Sequence, residues 1–200
     1  MEISAVLPLE LIGIIAFAIV GAMAGIKKKM DIFGIVVIAG TNAVGGGIIR
    51  DVILGIVPPV AFKYPIYLIV STAVALIVFI PAVRKKIHTD QWIITLMDSV
   101  GLGMFAVVGA RAGAYTGNRF LMVFLGTITC VGGGIMKDLF CGEIPGIFVK
   151  HLYAVPAILG AILYVFLRGI NETAAAVIAA AVIVFLRLLA AKFKWNIPRA

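Results

Sequence analysis

Seven long apolar segments separated by short polar breaks are the feature that most limits how this 200-residue chain can fold. A helix that crosses a hydrocarbon core of roughly 30 Å needs about 20 mostly apolar residues, and each segment is close to that length. Only 13% of the residues are charged, about half the usual share in soluble domains. We therefore predict an all-α polytopic membrane protein with seven transmembrane helices. The predicted spans are Leu9–Ile26, Ile32–Val57, Tyr64–Val83, Trp92–Ala112, Phe120–Cys141, Leu152–Leu167 and Thr173–Ala191.

The positions of the lysines and arginines predict the orientation of these spans. Of the 17 basic residues, ten fall on the side that contains the first, third and fifth loops and the C-terminus, and three fall on the other side. Cytoplasmic loops of membrane proteins carry an excess of Lys and Arg. We expect a multi-pass protein of the plasma membrane with its N-terminus outside and its C-terminus in the cytoplasm. Topology accounts for the basic charge, so we expect no nucleic-acid partner. The ten residues are Lys27, Lys28, Lys29, Arg84, Lys85, Lys86, Lys150, Lys192, Lys194 and Arg199.

The chain contains two copies of one pattern. The run Gly45-Gly46-Gly47-Ile48-Ile49-Arg50-Asp51 recurs 87 positions later as Gly132-Gly133-Gly134-Ile135-Met136-Lys137-Asp138. Further upstream, Glu10 matches Asp98 and Phe17 matches Phe105. Each copy holds three predicted spans, an odd number, so the copies are inverted relative to one another in the membrane. Inverted repeats are typical of transport proteins, whose path lies at the repeat interface. Within a single transmembrane domain over 1–200, we predict repeat 1 over 9–83, repeat 2 over 92–167 and a seventh helix over 173–191.

Both copies place three consecutive glycines inside a predicted span, at Gly45–Gly47 and Gly132–Gly134. Each glycine costs up to about 1 kcal/mol relative to alanine within a helix. Because a charged pair follows soon after each triplet, we expect a broken or kinked helix there, with freed backbone groups facing a water-filled cavity. The alternative is close packing of helices through small residues. We prefer that alternative for the spaced pairs Gly21/Gly25 and Gly109/Gly113.

The charged motif residues Arg50, Asp51, Lys137 and Asp138 lie in or near the bilayer, where a lone charge costs at least a few kcal/mol. They must form ion pairs or face water in a pathway, and the sequence leaves both roles open. Successive residues on a helix point about 100° apart. Each basic residue therefore need not cancel the field of the neighbouring carboxylate, which in a conduction path attracts cations.

Other polar residues accompany the motif. Four of them offer neutral oxygens that suit a hard monovalent cation, although threonines in membrane helices commonly bond to their own backbone. Glu10 and Asp98 open their predicted spans, and we expect them to be helix N-terminal acids. The four neutral residues are Thr41, Asn42, Thr127 and Thr129.

The sequence contains no motif for hydrolysis or nucleotide binding. Its two cysteines, Cys130 and Cys141, lack the spacing of a metal or redox site and lie among apolar residues. We expect no enzyme activity, no cofactor and no permanently bound metal ion.

The doubled GGGxx(R/K)D motif, on the second and fifth spans of a chain with three, three and one spans, resembles the trimeric intracellular cation (TRIC) channel family in its prokaryotic branch. The resemblance implies a homotrimer in membrane lipid, with a pore in each protomer that is lined by kinked second and fifth helices. It also implies conduction of potassium and sodium, with potassium passing transiently along the pore. By motif position, the kinks fall at Gly45–Gly47 and Gly132–Gly134. Related bacterial sequences have also been labelled glycine transporters, so a secondary transporter for a small amino acid is the alternative.

Overall fold

The computed structural model describes residues 3–89, 91–149 and 152–195, and in these residues all regular secondary structure is helical. The all-α prediction is therefore confirmed. Lys150 and Arg199, which entered the charge count, lie outside the described residues. The helices are α1 Ile3–Lys27, α2 Ile32–Ile53, α3 Val60–Lys63, α4 Ile66–Phe79, α5 Pro81–Thr89, α6 Gln91–Ala112, α7 Arg119–Phe140, α8 Gly146–Val149, α9 Ala154–Leu167 and α10 Glu172–Lys192, with a 3₁₀ turn at Ala114–Thr116.

Each predicted span contains a helix, but not all of these helices are long enough to cross a membrane alone. Five helices in the described residues are long and apolar enough, and a sixth span exists if the bent pair α4 and α5 counts as one. That pair bends by 89° at Ile80, within the predicted third span. Pro81 forces the bend, because the residue before a proline is driven out of helical geometry, and Ile80 has ψ 126°. Helix α9, with 14 residues, is shorter than the predicted sixth span requires.

The ends of α2 and α7 are duplicated as closely as their motifs. Asp31 caps the start of α2 by accepting from the Gly34 amide at 2.7 Å, and Asn118 caps α7 by accepting from the Leu121 amide at 3.1 Å. Both helices end just before a left-handed glycine, Gly55 with φ 69° and Gly142 with φ 66°. Because Gly55 stops the helix, α2 ends four residues before the predicted Val57.

The two copies pack against each other through equivalent residues. Phe17 on α1 lies against Phe105 on α6, with ring centroids 5.4 Å apart. Gly13 faces the ring of Phe105, and Gly101 faces the ring of Phe17. Contacts therefore descend along one helix as they ascend along the other, which is the antiparallel geometry that inverted copies require.

Helix α10 lies outside this pairing and packs mainly against the second copy. It contacts α6 and α9, both from the second copy. A small apolar cluster that includes Val107, Tyr164 and Ala179 fills this contact, while a larger cluster holds α1, α2, α4, α6 and α7 together. The seventh helix thus packs mainly on the second copy, although Ile183 belongs to the larger cluster and Leu9 of α1 borders the smaller one.

Candidate functional site

The glycine triplets lie where α2 crosses α7. A methyl group on Gly46 would overlap the carbonyl oxygen of Thr129, and one on Gly133 would overlap the carbonyl oxygen of Asn42. An ideal Cβ on Gly132 would lie 3.2 Å from the Cα of Gly46. Only glycine permits this backbone contact, since any side chain at either position would push the helices apart.

Helices α2 and α7 continue through the triplets Gly45–Gly47 and Gly132–Gly134, so the interruption we considered is absent, whereas a kink there stays a prediction. Close packing offsets the intrinsic cost of glycine in a helix, so tertiary contact overrides propensity. Only the third glycine of each triplet has room beside it. The nearest atom to an added Cβ is 3.8 Å away at both Gly47 and Gly134.

Buried polar residues form a cluster on the C-terminal side of the first triplet. This first half-site consists of Glu10, Arg50, Asp51 and Tyr67. Arg50 donates to Asp51 Oδ1 from Nε at 2.9 Å and from Nη2 at 2.8 Å, and its Nη1 lies 3.9 Å from Glu10. The Tyr67 hydroxyl donates to the other oxygen of Glu10. One guanidinium therefore bridges two carboxylates, and all three groups are at least nine-tenths buried.

The second half-site repeats this arrangement with Asp98, Lys137, Asp138 and Tyr153. Lys137 Nζ donates to Asp138 Oδ1 at 2.8 Å, and the Tyr153 hydroxyl donates to Asp98 at 2.9 Å. Among the described residues Lys137 pairs with Asp138, whereas Arg50 also approaches Glu10 in the first half-site. A basic group approaches Asp98 instead from α10, where Arg187 Nη2 lies 3.6 Å from Asp98 Oδ2.

Adjacent motif residues neutralise each other, which contradicts the expectation that their 100° separation keeps them apart. The side chains of Arg50 and Lys137 are long enough to fold back onto the neighbouring carboxylates Asp51 and Asp138. The second oxygen of each carboxylate accepts a backbone amide: Asp51 from Val60 at 2.8 Å, and Asp138 from Gly146 at 2.7 Å. Each aspartate thereby fastens the short helix that follows, α3 or α8, against the end of the long one.

The neutral oxygens have mostly structural partners. Thr127 and Thr129 donate to the carbonyls of Val123 and Leu125, four residues earlier on α7. Asn42 donates to the Phe17 carbonyl at 2.6 Å and so ties α2 to α1. Thr41 is half-buried beside the crossing. The back-bonding alternative therefore describes the two threonines of α7.

Each half-site borders a small cavity that its third glycine also lines. The cavity of the first half-site has a volume of about 30 Å³ and reaches Gly47, and that of the second has about 20 Å³ and reaches Gly134. Such volumes hold one or two water-sized species. Because α2 and α7 are antiparallel, the half-sites lie on opposite sides of the crossing, about 15 Å apart along the helix axis.

Structures of proteins similar to this chain have been solved. A prokaryotic TRIC channel crystallised in 0.5 M KCl superposes with a TM-score of 0.89 at 34% identity, over 97% of this chain and 99% of that one. The TRIC orthologue from Rhodobacter sphaeroides gives 0.85 at 32% identity, over 93% and 96%. The chain belongs to the prokaryotic branch of the TRIC channel family.

Sequence relatives of this TRIC protein carry less specific names. The inner membrane protein YadS of Escherichia coli strain K12 is 31% identical over 194 residues, which is 95% of this chain and 93% of that one, and is described as a UPF0126 protein. The family model described as glycine transporter matches twice, at 7–82 and 95–169. The match itself is thus duplicated along the chain. These names place the TRIC protein among membrane proteins.

Several site residues were not predicted. Glu10 and Asp98 lie about two turns inside α1 and α6, so the helix N-terminal interpretation is wrong for both. Tyr67 and Tyr153, which hold these acids, carry no motif signal of their own. Arg187 did carry one, because an arginine inside an apolar span needs a buried partner. The match between Glu10 and Asp98 in the two copies was the available sign that these acids act together.

Proposed function

We propose that this protein is a channel for monovalent cations, permeable to potassium and sodium, with an ion path in each protomer of a homotrimer. The observation that carries the proposal is the pair of half-sites, which put buried carboxylates on either side of the α2–α7 crossing. Membership of a family whose solved members are cation channels supports the same function. The proposal includes no catalysis.

We place the path beside the crossing rather than between its helices, since Gly46 and Gly133 are in backbone contact with the opposite helix. Gly47 and Gly134 leave open space next to the half-sites and so form the walls of the path. Carboxylate and tyrosine oxygens there replace part of the hydration shell of a cation. Bending at Gly45–Gly47 or Gly132–Gly134 is the proposed opening motion, because helices that contain glycine bend at low cost.

The alternative is a secondary transporter for a small amino acid, which the description of the matching family model favours. Such a transporter holds the substrate carboxylate at the N-termini of broken helices. Because α2 and α7 are unbroken at the triplets, that binding mode has no half-helix N-termini there. The channel therefore accounts better for the geometry.

Planar-bilayer recording of the purified protein tests the proposal. We expect unitary currents in potassium and in sodium chloride, and none when N-methyl-D-glucamine replaces the metal cation. Light scattering of the detergent-solubilised protein is expected to give the mass of three chains. Saturable, ion-coupled uptake of radiolabelled glycine into proteoliposomes without unitary currents would establish the transporter instead.

A further inference from the structure

The seventh helix brings a charge into the second half-site, whereas no ion pair in the described residues links α10 to the first half-site. Arg187 on α10 is 5% exposed, and its guanidinium carbon lies 4.8 Å from the centre of the Tyr153 ring. Its Nη2 atom approaches Asp98 Oδ2 at 3.6 Å. Since α10 is not part of the duplicated unit, this residue is an addition to the repeat.

The guanidinium interacts with Asp98 through its charge more than through directional hydrogen bonds. A separation of 3.6 Å exceeds the hydrogen-bond range. Its Nε and Nη1 atoms are buried and have no acceptor within the described part of the chain. An arginine fork normally bonds through several of its five donors. Arg187 thus supplies positive charge to Asp98 without the geometry of a fixed clamp.

The two half-sites consequently differ in formal charge. The first contains two carboxylates and one guanidinium, because Arg50 serves both Glu10 and Asp51. The second contains two carboxylates and two basic groups, since Lys137 serves Asp138 and Arg187 serves Asp98. Arg187 provides the one positive charge by which the two differ.

We propose that Arg187 is a tethered cation that occupies a monovalent-cation site formed by Asp98 and Tyr153 in the second half-site. Oxygens of a carboxylate and a phenol suit a hard monovalent cation, and the adjoining cavity of about 20 Å³ accepts a bare ion. The inference rests on the proposed cation conduction, because it treats the half-sites as cation sites. It makes α10 the element that controls cation access to the second copy.

Thermal unfolding of the full-length protein in detergent tests this assignment. The melting temperature is measured in potassium chloride and in N-methyl-D-glucamine chloride at equal concentration, the second cation being too large for the cavity. Wild type gives the reference difference between the two salts, which includes any potassium bound at the first half-site. For R187Q, potassium replaces the missing charge and raises the melting temperature by about 3 °C or more beyond that wild-type difference.

Two matched variants identify the source of any potassium effect. R187K retains a positive charge and is expected to respond to potassium as wild type does. R187Q/D98N lacks the carboxylate and is expected to lose the additional potassium effect. An R187Q no more sensitive to potassium than wild type, an R187Q that does not fold even in potassium, or an additional potassium effect that persists in R187Q/D98N would each overturn the proposal. Absence of wild-type currents would instead refute the channel function, so the two failures are distinguishable.

Discussion

Two buried basic residues in this molecule form ion pairs with the residue that follows them in the chain. Arg50 with Asp51 and Lys137 with Asp138 form ion pairs inside an apolar protein, where an unpaired charge costs several kcal/mol. The second oxygen of each aspartate accepts an amide hydrogen from the following short helix. Each aspartate therefore compensates a buried cation and also fixes the backbone of a loop.

Replacing Asp51 with asparagine is expected to destabilise the protein by about 3–5 kcal/mol, because Arg50 then loses its hydrogen-bonded countercharge. The measurement is denaturant or thermal unfolding in detergent micelles. The double variant R50Q/D51N is expected to recover part of the loss, since no uncompensated cation remains.

Asp31→Asn is the matched control for this substitution. Asp31 caps α2 at the surface, and asparagine is an equally good N-cap residue, so the expected change is only a few tenths of a kcal/mol. If D51N is no less stable than D31N, then the pair between Arg50 and Asp51 does not support the fold.

A surface ion pair gives the protein a small, predictable pH dependence. Lys28 lies 2.9 Å from Glu143, and this hydrogen bond holds the pKa of the Glu143 carboxyl below its usual range. The stabilisation is present above the ordinary glutamate pKa and is lost as the pH falls through the lowered value. Because both side chains are about one-third or more exposed, we expect less than about 1 kcal/mol.

The check is the difference in melting temperature between wild type and E143Q. We expect wild type to be more stable at pH 7 and the difference to disappear at pH 3 or in 1 M salt, which screens exposed charges. A difference that is unchanged between pH 7 and pH 3 would show that Glu143 acts by other means.

Among the helices, the glycine triplets divide into packing positions and an open position. Gly46→Ala and Gly133→Ala introduce a methyl group into the opposite backbone, so we expect a loss of about 1–3 kcal/mol or more. Gly47→Ala and Gly134→Ala have ordinary contact distances and are expected to keep the stability of wild type or gain slightly. Unfolding in detergent measures both effects.

The same four variants test the proposed path when they are recorded in bilayers. A methyl group at Gly47 or Gly134 projects toward a half-site cavity, so unit conductance is expected to fall while trimer mass is unchanged. Equal stability of G46A and G47A would refute the division of the triplet into two kinds of position.

The apolar segments predicted the all-helical architecture because apolar length is a local property of the sequence. The sequence did not show that the triplets lie within continuous helices, because the contact of Gly46 and Gly133 with the opposite helix appears only in the folded structure. The bend before Pro81 has a local cause, whereas the link from Tyr67 to Glu10 joins residues far apart in sequence. Sequence patterns predicted which segments are helical, but they did not determine which residues contact each other across the fold.

Over the whole molecule, the backbone is nearly symmetric and the charge is not. Contacts between Phe17 and Phe105 and between Gly46 and Gly133 relate the two copies by an approximate two-fold arrangement. Helix α10 packs mainly on the second copy and adds Arg187 to it. The additional helix thus makes the two ends of the inverted repeat different, because it places the charge of Arg187 in the second half-site.

Ion pairs near the helix ends indicate which loops lie on the same side of the membrane. The loop after α1 is joined to the loop after α7 by Lys28 and Glu143, and the end of α6 is joined to the start of α10 by Arg111 and Glu172 at 3.1 Å. These links agree with the assignment of loops to two sides, and the excess of basic residues selects the first side as cytoplasmic.

Single cysteines at Lys86 and Gly169 test this orientation, because both positions are exposed and belong to opposite sides. The natural Cys130 and Cys141 are buried and provide the background control. A membrane-impermeant maleimide added to intact cells is expected to label G169C and to leave K86C unlabelled until the membrane is opened. Lys86 follows α4 and neighbours Arg84 and Lys85, so its translocation would carry three charges across the bilayer. Labelling of K86C but not G169C in intact cells would reverse the topology.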